Sequence, residues 1–373
     1  MNLRRIRKRQ LMHLMTTCFI LSVVMVYWEQ LDNNIVSYMK SFSYRYLFNS
    51  YNFLNTSFTV SREEAERFGS RHYLINHKRK CTDVDVLLLL LVKSSPENVE
   101  RRAGIRSTWG NETYAFHELG VHIRVLFMLG ESGHSQVEQD LMQEDWCHGD
   151  LIQQDFLDTF HNLTVKLLMQ FRWAHAYCAH ARFFMSVDDD VFVHIPNLVH
   201  YLQEMASKNV QDFWIGHVHK GSPPIRRKDS KYYVPYEMYQ WSSYPDYTAG
   251  AGYVVSRNVV AKIYQASLTL NATLYIDDVF MGICANVMGV SPQEHIYFTG
   301  GEKVPYHICV YDKMMTSHGH VKDMHYLWKE ATSPQVKQTT SWFLGRLYCT
   351  MVKIKLFCMP NPFTTYPCKA AFL

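Results

Sequence analysis

Several familiar functional signatures are missing from this chain of 373 residues. It has no GxxxxGK(S/T) phosphate loop and no GxSxG turn, which excludes the usual P-loop nucleotide hydrolases and serine hydrolases. None of its nine cysteines forms a CxxC pair, so a zinc ribbon or thioredoxin-like site is not indicated. The Gly250-Ala251-Gly252 turn lacks the third glycine of a dinucleotide fingerprint.

Charge is also sparse. Charged residues make up 19% of the chain, its net charge is only +4, and no basic stripe with interleaved aromatics occurs, which argues against a nucleic-acid partner. By contrast, 47% hydrophobic and 14% aromatic residues are ample for a packed core. The length accommodates one large domain or two modest ones.

The N-terminus predicts the compartment. Five basic residues within 1–10 precede an apolar stretch at 11–28, the pattern of a transmembrane signal anchor with a cytosolic tail. A cleaved signal peptide is the alternative, but residues 29–32 (EQLD) offer no small-x-small cleavage site. Such a short span suits a Golgi-type bilayer. We therefore predict a lumenal stem at 29–72 and a lumenal catalytic domain at 73–373.

Glycosylation sequons and cysteines fit a lumenal body. The four N-x-S/T sequons are at Asn55, Asn111, Asn162 and Asn271. An oxidising lumen would make the cysteines after Cys18 disulfide candidates, although the sequence does not fix their connectivity. Cys147 has no obvious partner and could remain a free thiol.

Strand-like and helix-like segments alternate along the catalytic domain. Strands are predicted at 83–92, 121–129, 150–156 and 183–187, and helices at 97–108, 136–143 and 163–179. The last of these helices reads as amphipathic, and the run DVDVLLLLLV at 83–92 predicts a strand buried on both faces. The alternation predicts an α/β fold with a mixed, mainly parallel sheet flanked by helices.

An acidic triplet follows an apolar run. Residues 183–187 (FFMSV) precede Asp188, Asp189 and Asp190. Open α/β sheets bind ligands at the carboxyl ends of their strands, so this order delivers three carboxylates to a candidate site. Adjacent carboxylates repel one another unless a cation lies among them, and hard divalent ions prefer oxygen ligands. The triplet indicates a metal-dependent transferase that uses a sugar nucleotide; a solvated acidic turn is the alternative.

A second acidic pair, Asp277 and Asp278, lies between aromatic and aliphatic neighbours. Partial burial would raise the pKa of such a carboxylate and make it a better general base for a sugar hydroxyl. The other interpretation is a helix N-terminus capped by one of the two residues. Both could hold at once.

Five ordered motifs together resemble the β-1,3-glycosyltransferase family of the Golgi. They are residues 101–110 (RRAGIRSTWG), 155–156 (DF) with 162–166 (NLTVK), 188–190 (DDD), 244–253 (YPDYTAGAGY) and 277–278 (DD). The motifs span nearly the whole predicted lumenal part. The resemblance implies a GT-A (Rossmann-like) fold and an inverting transfer with no glycosyl-enzyme intermediate.

The resemblance also implies roles for these acidic residues. Asp278 matches the family's catalytic base, and Asp188 and Asp190 match the ends of its metal and nucleotide motif. The resemblance implies that Asp190 binds Mn²⁺ and that Asp188 faces the ribose or the water shell of the metal. His318 lies where the family supplies a metal-ligand histidine, although the neighbouring His320 leaves that choice open. The family often has Glu-Asp where this chain has Asp277-Asp278, a conservative departure that could alter how the neighbour orients the base.

Further residues are candidates for substrate contact, and each also has a purely structural interpretation. For the donor we predict Asp189, Arg102, Arg106 and Lys166; for the arginines a solvated helix face is equally open, and for Lys166 a structural ion pair. For the acceptor we predict Tyr239, Trp241, Tyr247 and Gly250, because sugars stack on aromatic rings; plain packing is the alternative.

Within the family, four distinctive segments resemble the branch that uses UDP-GlcNAc as donor and the galactose of the glycolipid lactosylceramide as acceptor, at the Golgi membrane. These segments are 43–47, 73–78, 231–241 and 365–372. UDP-Gal as donor is the enzymatic alternative, and a non-catalytic lectin or chaperone is the alternative of another class. The apolar stretch 342–359 predicts either a packed, disulfide-tied helix or one at the membrane surface.

Overall fold

The structure is a computed structural model that describes residues 10, 12–24, 71–270, 274–359 and 366–373. Residues 12–24 are helical. Within these described parts, no helix is both long enough and apolar enough to cross a membrane. The predicted anchor at 11–28 lies only partly inside them and the stem at 29–72 almost wholly outside, so both stay predictions.

Ten strands are described, eight of them in one sheet of order β1-β4-β3-β2-β5-β8-β7-β9. Their bounds are β1 Tyr73–Ile75, β2 Val86–Lys93, β3 His122–Glu131, β4 Leu151–Leu157, β5 Phe183–Asp188, β6 Phe192–Val193, β7 Trp214–His219, β8 Tyr247–Ser256, β9 Gln293–Glu294 and β10 Thr316–Ser317. Of the eight, β1 and β8 run against the other six. Strands β6 and β10 form a separate antiparallel ribbon. The predicted mainly parallel sheet is confirmed.

Helices cover both faces of the sheet. They are α1 Val99–Ser107, α2 Glu112–Leu119, α3 Ser135–His148, α4 Leu163–Tyr177, α5 Ile195–Ser207, α6 Arg257–Ser267, α7 Asp277–Val287, α8 Ile308–Tyr311, α9 Met324–Ala331, α10 Pro334–Ser341 and α11 Phe343–Phe357. One core holds side chains of α1, α2, α3 and α5, and the other holds those of α4, α6 and α7.

Strand β2 explains why the two cores share one sheet. All eight of its residues are buried, and successive side chains of a strand point to opposite faces. Leu88 and Leu90 therefore enter the first core, while Leu89 and Leu91 enter the second. The prediction that the apolar run at 83–92 contains a strand buried on both faces is confirmed.

Helix α4 differs from the amphipathic helix predicted at 163–179. Nine of its fifteen residues are buried, including the polar Thr164, Lys166 and Gln170. It packs against α6 and α7 as well as β3, so it has little solvated face. Its polar side chains are satisfied inside the protein: Gln170, for example, accepts a hydrogen bond from Ser186 Oγ at 2.9 Å.

Three disulfides close loops of very different length. They join Cys81 to Cys178, Cys309 to Cys349 and Cys358 to Cys368. Among the described cysteines, Cys18 and Cys147 are free and exposed, and Cys284 is free and buried. The unpaired Cys147 agrees with the sequence-based expectation. Two of the disulfides hold the C-terminal helices together.

Candidate active site

Four chain segments converge at the carboxyl ends of β2 and β5. Strand register places Lys93 opposite Asp188, the last residues of β2 and β5. Because β8 is antiparallel to β5, its early residues, including Gly250, come to the same edge of the sheet. Helix α7 begins there with Asp277. This edge is where open α/β sheets bind ligands, as the acidic triplet predicts.

Asp188, Asp190 and His318 form a candidate metal site. Each offers one ligand atom, and the three atoms lie within 4.8 Å of one another. His318 Nε2 lies 3.5 Å from Asp190 Oδ1. The small ribbon explains how a distant histidine arrives: β10 pairs with β6, and His318 directly follows β10. The structure thus brings together the three residues predicted as metal ligands.

The chemistry of this site fits a divalent cation. Asp190 Oδ1 is buried and has no hydrogen-bond partner within the described residues, an arrangement that a cation would satisfy. Burial, opposed by Lys93, raises the pKa of Asp188 above its ordinary value, because its charged form is poorly solvated. Two carboxylates with one imidazole suit Mn²⁺ better than Ca²⁺.

The neighbouring His320 has other partners. Its side chain is fully buried, with Nε2 at 2.7 Å from Ser317 Oγ and Nδ1 at 3.2 Å from Asp323 Oδ1. Its backbone N–H donates to the carbonyl oxygen of Asp190 at 2.7 Å, which fixes the two loops together. Of the two histidines, only His318 is therefore directed at the carboxylates.

Asp189, predicted to contact the donor, is occupied by protein groups. Its Oδ2 accepts hydrogen bonds from Ser94 Oγ at 2.7 Å and Asn98 Nδ2 at 2.8 Å, and its Oδ1 pairs with Arg101 Nη1 at 2.7 Å. The residue is 5% exposed. Asp189 thus anchors the start of α1 beside the metal site, while Asp188 and Asp190 on either side of it point to the ligand-binding edge.

A cavity of about 720 Å³ adjoins this anchor. Its lining includes Asn98, Arg101 and Gly104 of the α1 region, with Asp189 and His320. A nucleotide-sized ligand needs a cleft of this order. Of the three arginines in the 101–110 motif, Arg101 is the one that lines it.

Arg102 and Arg106 point elsewhere. Arg102 is fully buried and pairs with Glu144 through Nε at 2.8 Å and Nη2 at 2.6 Å. Arg106 bonds both Glu144 and Asp150. These pairs connect α1 to α3 and to the start of β4, so neither the predicted donor contact nor a solvated helix face describes Arg102.

Lys166 is also a structural cation in this conformation. Its Nζ lies 2.8 Å and 2.7 Å from the two carboxylate oxygens of Asp158 and 2.6 Å from the carbonyl oxygen of Ser94. The side chain is almost completely buried. The ion pair proposed as the alternative to phosphate contact is the arrangement observed.

Lys93 is the functional residue that the sequence analysis missed. Its Nζ lies 3.0 Å from Asp188 Oδ1, 3.0 Å from Asp277 Oδ2 and 2.9 Å from the carbonyl oxygen of Gly250. Burial alone would lower the pKa of Lys93, but Asp188 and Asp277 raise it well above its ordinary value, so the ammonium stays charged. Lys93 thereby joins the metal side to the α7 side. The only signal in the sequence is a lysine that ends an apolar run.

Asp278 has the properties of a general base. Its Oδ1 accepts a hydrogen bond from Val279 N at 2.8 Å, and its Oδ2 accepts one from Gly250 N at 3.3 Å. Burial and the adjacent charge of Asp277 raise the pKa of Asp278 to about 7, against which Lys93 acts only in part. A carboxylate with this pKa is ionised enough to accept a proton near neutral pH.

The alternative interpretation of the pair is also partly correct. Asp277 and Asp278 occupy the first turn of α7, where the helix dipole stabilises negative charge. The cap position, however, belongs to Ile276, and no side chain caps the helix. The helix start therefore orients the base rather than competing with that role.

The predicted acceptor residues separate into two groups. Tyr247 and Gly250 lie on β8 at the site: a Cβ added to Gly250 would lie 3.5 Å from Asp278 Cβ and 3.5 Å from Lys93 Nζ. Tyr239 and Trp241 are buried, with ring centroids 4.9 Å apart, in a packed aromatic cluster before β8. In this conformation their rings pack rather than form an open platform.

The sequons fall in different surroundings. Asn111 is the N-cap of α2 and accepts a hydrogen bond through Oδ1 from Tyr114 N, which leaves its Nδ2 for other use. Asn162 Nδ2 donates to the carbonyl oxygen of Leu157 at 2.8 Å. Asn55 and Asn271 lie outside the described residues. Glycosylation of all four stays a prediction.

The architecture and this site can be compared with known proteins. The family model described as Galactosyltransferase matches residues 100–295, more than half of the chain. This chain belongs to the galactosyltransferase family. The matched region contains the acidic triplet, β8 and the Asp277 pair, and the resemblance drawn from the five motifs is confirmed.

This chain is also similar to proteins that it matches over nearly their whole length. Lactosylceramide 1,3-N-acetyl-beta-D-glucosaminyltransferase A of Danio rerio is 61% identical over 100% of this chain and 99% of its own length. The lactosylceramide 1,3-N-acetyl-beta-D-glucosaminyltransferase of Homo sapiens is 56% identical over 99% of this chain and 98% of its own. The solved apo structure of the bifunctional glycosyltransferase WbbM has a TM-score of 0.36 at 9% identity, covering 69% of this chain and 51% of that one, which is too distant to argue from.

Proposed function

We propose that this chain transfers N-acetylglucosamine from UDP-GlcNAc to O3 of the galactose of lactosylceramide in β linkage. The observation that carries the reaction type is one edge of the sheet that holds both a base with a pKa of about 7, Asp278, and a candidate metal triad. Donor and acceptor are supported by the names of relatives that are 54% to 61% identical over the whole chain. The product would be the precursor of lacto- and neolacto-series glycolipids.

Asp278 carries the proton in this mechanism. Its carboxylate takes the proton from the galactose O3 hydroxyl as that oxygen attacks the anomeric carbon of the donor. The bond from the anomeric carbon to the diphosphate oxygen breaks, and UDP leaves with the electron pair. One in-line displacement of this kind inverts the configuration, as the family resemblance implies for a GT-A enzyme.

The donor side is held by residues across the same edge. We infer that Asp188, Asp190 and His318 hold Mn²⁺, which when bound would neutralise negative charge on the diphosphate. Arg101 and the cavity beside α1 would receive the nucleotide, and the presence of Asp189, between two residues of the triad, in the lining of this cavity supports that role. Lys93 pairs with both Asp188 and Asp277, and would thereby fix the distance between the donor site and the base.

We also propose a single-pass type II protein of the Golgi membrane with a lumenal catalytic domain. The basic N-terminus before the apolar stretch at 11–28 supports this orientation. Three disulfides suit an oxidising lumen rather than the cytosol. Protease protection of the catalytic domain in sealed Golgi vesicles is the expected result, and digestion in intact vesicles would contradict it.

The donor and acceptor are tested with a two-by-two assay. Purified full-length enzyme with Mn²⁺ is offered UDP-GlcNAc or UDP-Gal, each with lactosylceramide or a soluble lactoside. We expect transfer from UDP-GlcNAc to both acceptors. Transfer from UDP-Gal alone would overturn the donor assignment but keep the mechanism, and no transfer from either donor would favour a lectin or chaperone.

A further inference from the structure

Helix α11 exposes its apolar face. Five of its side chains follow the helical spacing i, i+1, i+4, i+5 and i+8 and are each more than half exposed: Phe343, Leu344, Leu347, Tyr348 and Met351. We call these five the α11 stripe. Trp342, directly before the helix, is exposed too. A surface helix ordinarily turns such a stripe inward, so this one is inverted.

The inward face of α11 carries few large apolar groups. Its buried residues are Gly345, Cys349, Lys353 and Phe357 at four-residue spacing, and Ile354 and Leu356 near the helix end are partly buried against the core. With 100° of rotation per residue, the buried residues lie opposite the stripe. The helix is therefore packed through its less apolar side, and the outward orientation needs a cause.

Three contacts fix this orientation. A disulfide joins Cys349 to Cys309 in α8, and Lys353 Nζ lies 3.3 Å from Asp312 Oδ1 with both side chains largely buried. A Cβ added to Gly345 would lie 1.8 Å from the carbonyl oxygen of Thr339, so α10 and α11 approach as closely as backbones can. Rolling the stripe inward would break all three contacts.

The charge around the stripe selects its occupant. Residues 334–357, which form α10 and α11, contain four basic residues and no acidic one. Three of the four are exposed, namely Lys337, Arg346 and Lys355. An apolar face with Trp and Tyr, bordered by cations, matches a phospholipid surface, where acyl chains receive the apolar groups and phosphates receive the cations.

The stripe is also connected to the active site. Helix α8, to which α11 is disulfide-bonded, is followed at once by the segment that becomes β10 and then His318. The ring of Tyr348 contacts His307 at the start of α8, with centroids 6.3 Å apart. A surface that holds α11 would thus hold the part of the chain that delivers a candidate metal ligand.

We propose that the α11 stripe docks the catalytic domain on the membrane that contains its acceptor. This inference rests on the proposed function, because a lipid-borne acceptor presents its sugar close to the bilayer. Docking places the catalytic domain at the height of that sugar and raises the encounter rate with the glycolipid. A soluble acceptor gains nothing from it.

Lipid contact is tested directly with a photoactivatable lipid. Full-length protein is reconstituted in phosphatidylcholine vesicles that contain a photoactivatable phosphatidylcholine, and crosslinked peptides are mapped by mass spectrometry. We expect crosslinks within 342–351 in the wild type, reduced about fivefold or more by the double variant Leu347→Glu/Met351→Glu, because two exposed apolar side chains that would enter the lipid become charged.

The same variant is assayed on two acceptors. Transfer to lactosylceramide in vesicles should fall about tenfold, while transfer to a soluble lactoside stays at the wild-type rate. The matched control is Met142→Glu/Trp146→Glu on α3, an exposed apolar pair at the same spacing, which should change neither rate. Unchanged melting temperatures would show that both variants fold.

Three results would overturn the docking proposal. The first is the absence of lipid crosslinks on α11 in the wild type, and the second is an equal loss of transfer to both acceptors in Leu347→Glu/Met351→Glu. The third is a wild type that is a dimer in solution and a double variant that is a monomer with unchanged crosslinks. The last would make a second copy the occupant. Failure of the proposed function is separate, since the wild type would then not glycosylate the soluble lactoside while the crosslinks remain.

Discussion

At the scale of single residues, the candidate metal triad has a direct binding test. Asp190→Asn and His318→Ala each remove one ligand and should weaken Mn²⁺ binding about tenfold or more, measured by electron paramagnetic resonance of free Mn²⁺. His320→Gln is the matched control, because His320 is bonded to Ser317 and Asp323 instead. Equal weakening by all three substitutions would show that the loop, rather than His318, governs affinity.

The raised pKa of Asp278 predicts the pH dependence of the rate. The base must be ionised, so kcat/KM at saturating Mn²⁺ should rise about tenfold per pH unit below 7 and level off above it. A rate that is flat from pH 5.5 to 8.5 would contradict this assignment.

The raised pKa of Asp278 also affects stability, which should fall with rising pH where the rate rises. A carboxylate whose folded pKa lies above its unfolded value destabilises the fold when ionised, so stability falls as pH rises from about 4 to about 7. Asp278→Asn should remove that fall, and its melting temperature at pH 8 should equal or exceed that of the wild type. A lower melting temperature would mean that the charged form stabilises the fold.

Lys93 should matter for stability as much as for catalysis. Lys93→Met would leave Asp188 and Asp277 without their shared cation in a largely buried place, which should cost about 3–5 kcal/mol of unfolding free energy in urea. Lys208→Met removes an exposed pair with Glu204 and should cost less than about 1 kcal/mol. Similar losses from the two substitutions would refute the bridging role.

Residue-level prediction from sequence located the acidic cluster at the sheet edge, because there the order along the chain carries the information. An apolar strand followed by acids identifies Asp188 and Asp190, because a strand end is a local feature. The sequence could not show that Arg101 rather than Arg102 lines the cavity, because this depends on which face of α1 packs against the rest of the protein. Nor could it find Lys93, whose partners are distant in sequence and meet only through strand register.

At the scale of elements, the position of α7 depends on a close contact with β8. A Cβ added to Gly282 would lie 2.8 Å from Tyr247 Cβ and 3.2 Å from the carbonyl oxygen of Asp246. Gly282→Ala should therefore push α7 and its base away from Gly250 and lower kcat about tenfold or more, since general-base catalysis depends on hydrogen-bond distance.

Gly104→Ala in α1 is the matched control for this contact. A Cβ there would meet nothing within 4 Å, so the substitution should raise stability by about 0.5–1 kcal/mol through helix propensity. Wild-type rates in Gly282→Ala would show that α7 tolerates the added methyl group without moving the base.

Element prediction was accurate for β2, β3, β4 and β5; the apolar runs are long in β2, β3 and β5, whereas polar residues interrupt β4 (LIQQDFL). The aromatic segment before β8 shows the limit. Aromatic side chains suit both a core and a sugar platform, so Tyr239 and Trp241 were predicted at the acceptor although they are buried. Burial of an irregular segment depends on the rest of the fold, which local pattern does not contain.

At the scale of the whole molecule, the parallel half of the sheet presents the carboxylates of the candidate metal site, and the antiparallel strand β8 brings Gly250 beside the proposed base, Asp278. The pairing of β10 with β6 then places His318, which directly follows β10, beside these carboxylates. Two disulfides hold the C-terminal helices together, and their connectivity was beyond the sequence, because the eight cysteines after Cys18 allow many pairings. The sequence predicted the kind of fold, whereas this long-range assembly required the structure.

The most direct test of the account is the rate of transfer from UDP-GlcNAc to a lactoside by Asp278→Asn beside the wild type, with melting temperatures measured on the same samples. The account predicts a loss of about 10²–10⁴-fold in kcat with an unchanged or higher melting temperature, because the base is lost while a strained charge is removed. A folded Asp278→Asn enzyme that retains a tenth or more of the wild-type rate would contradict it.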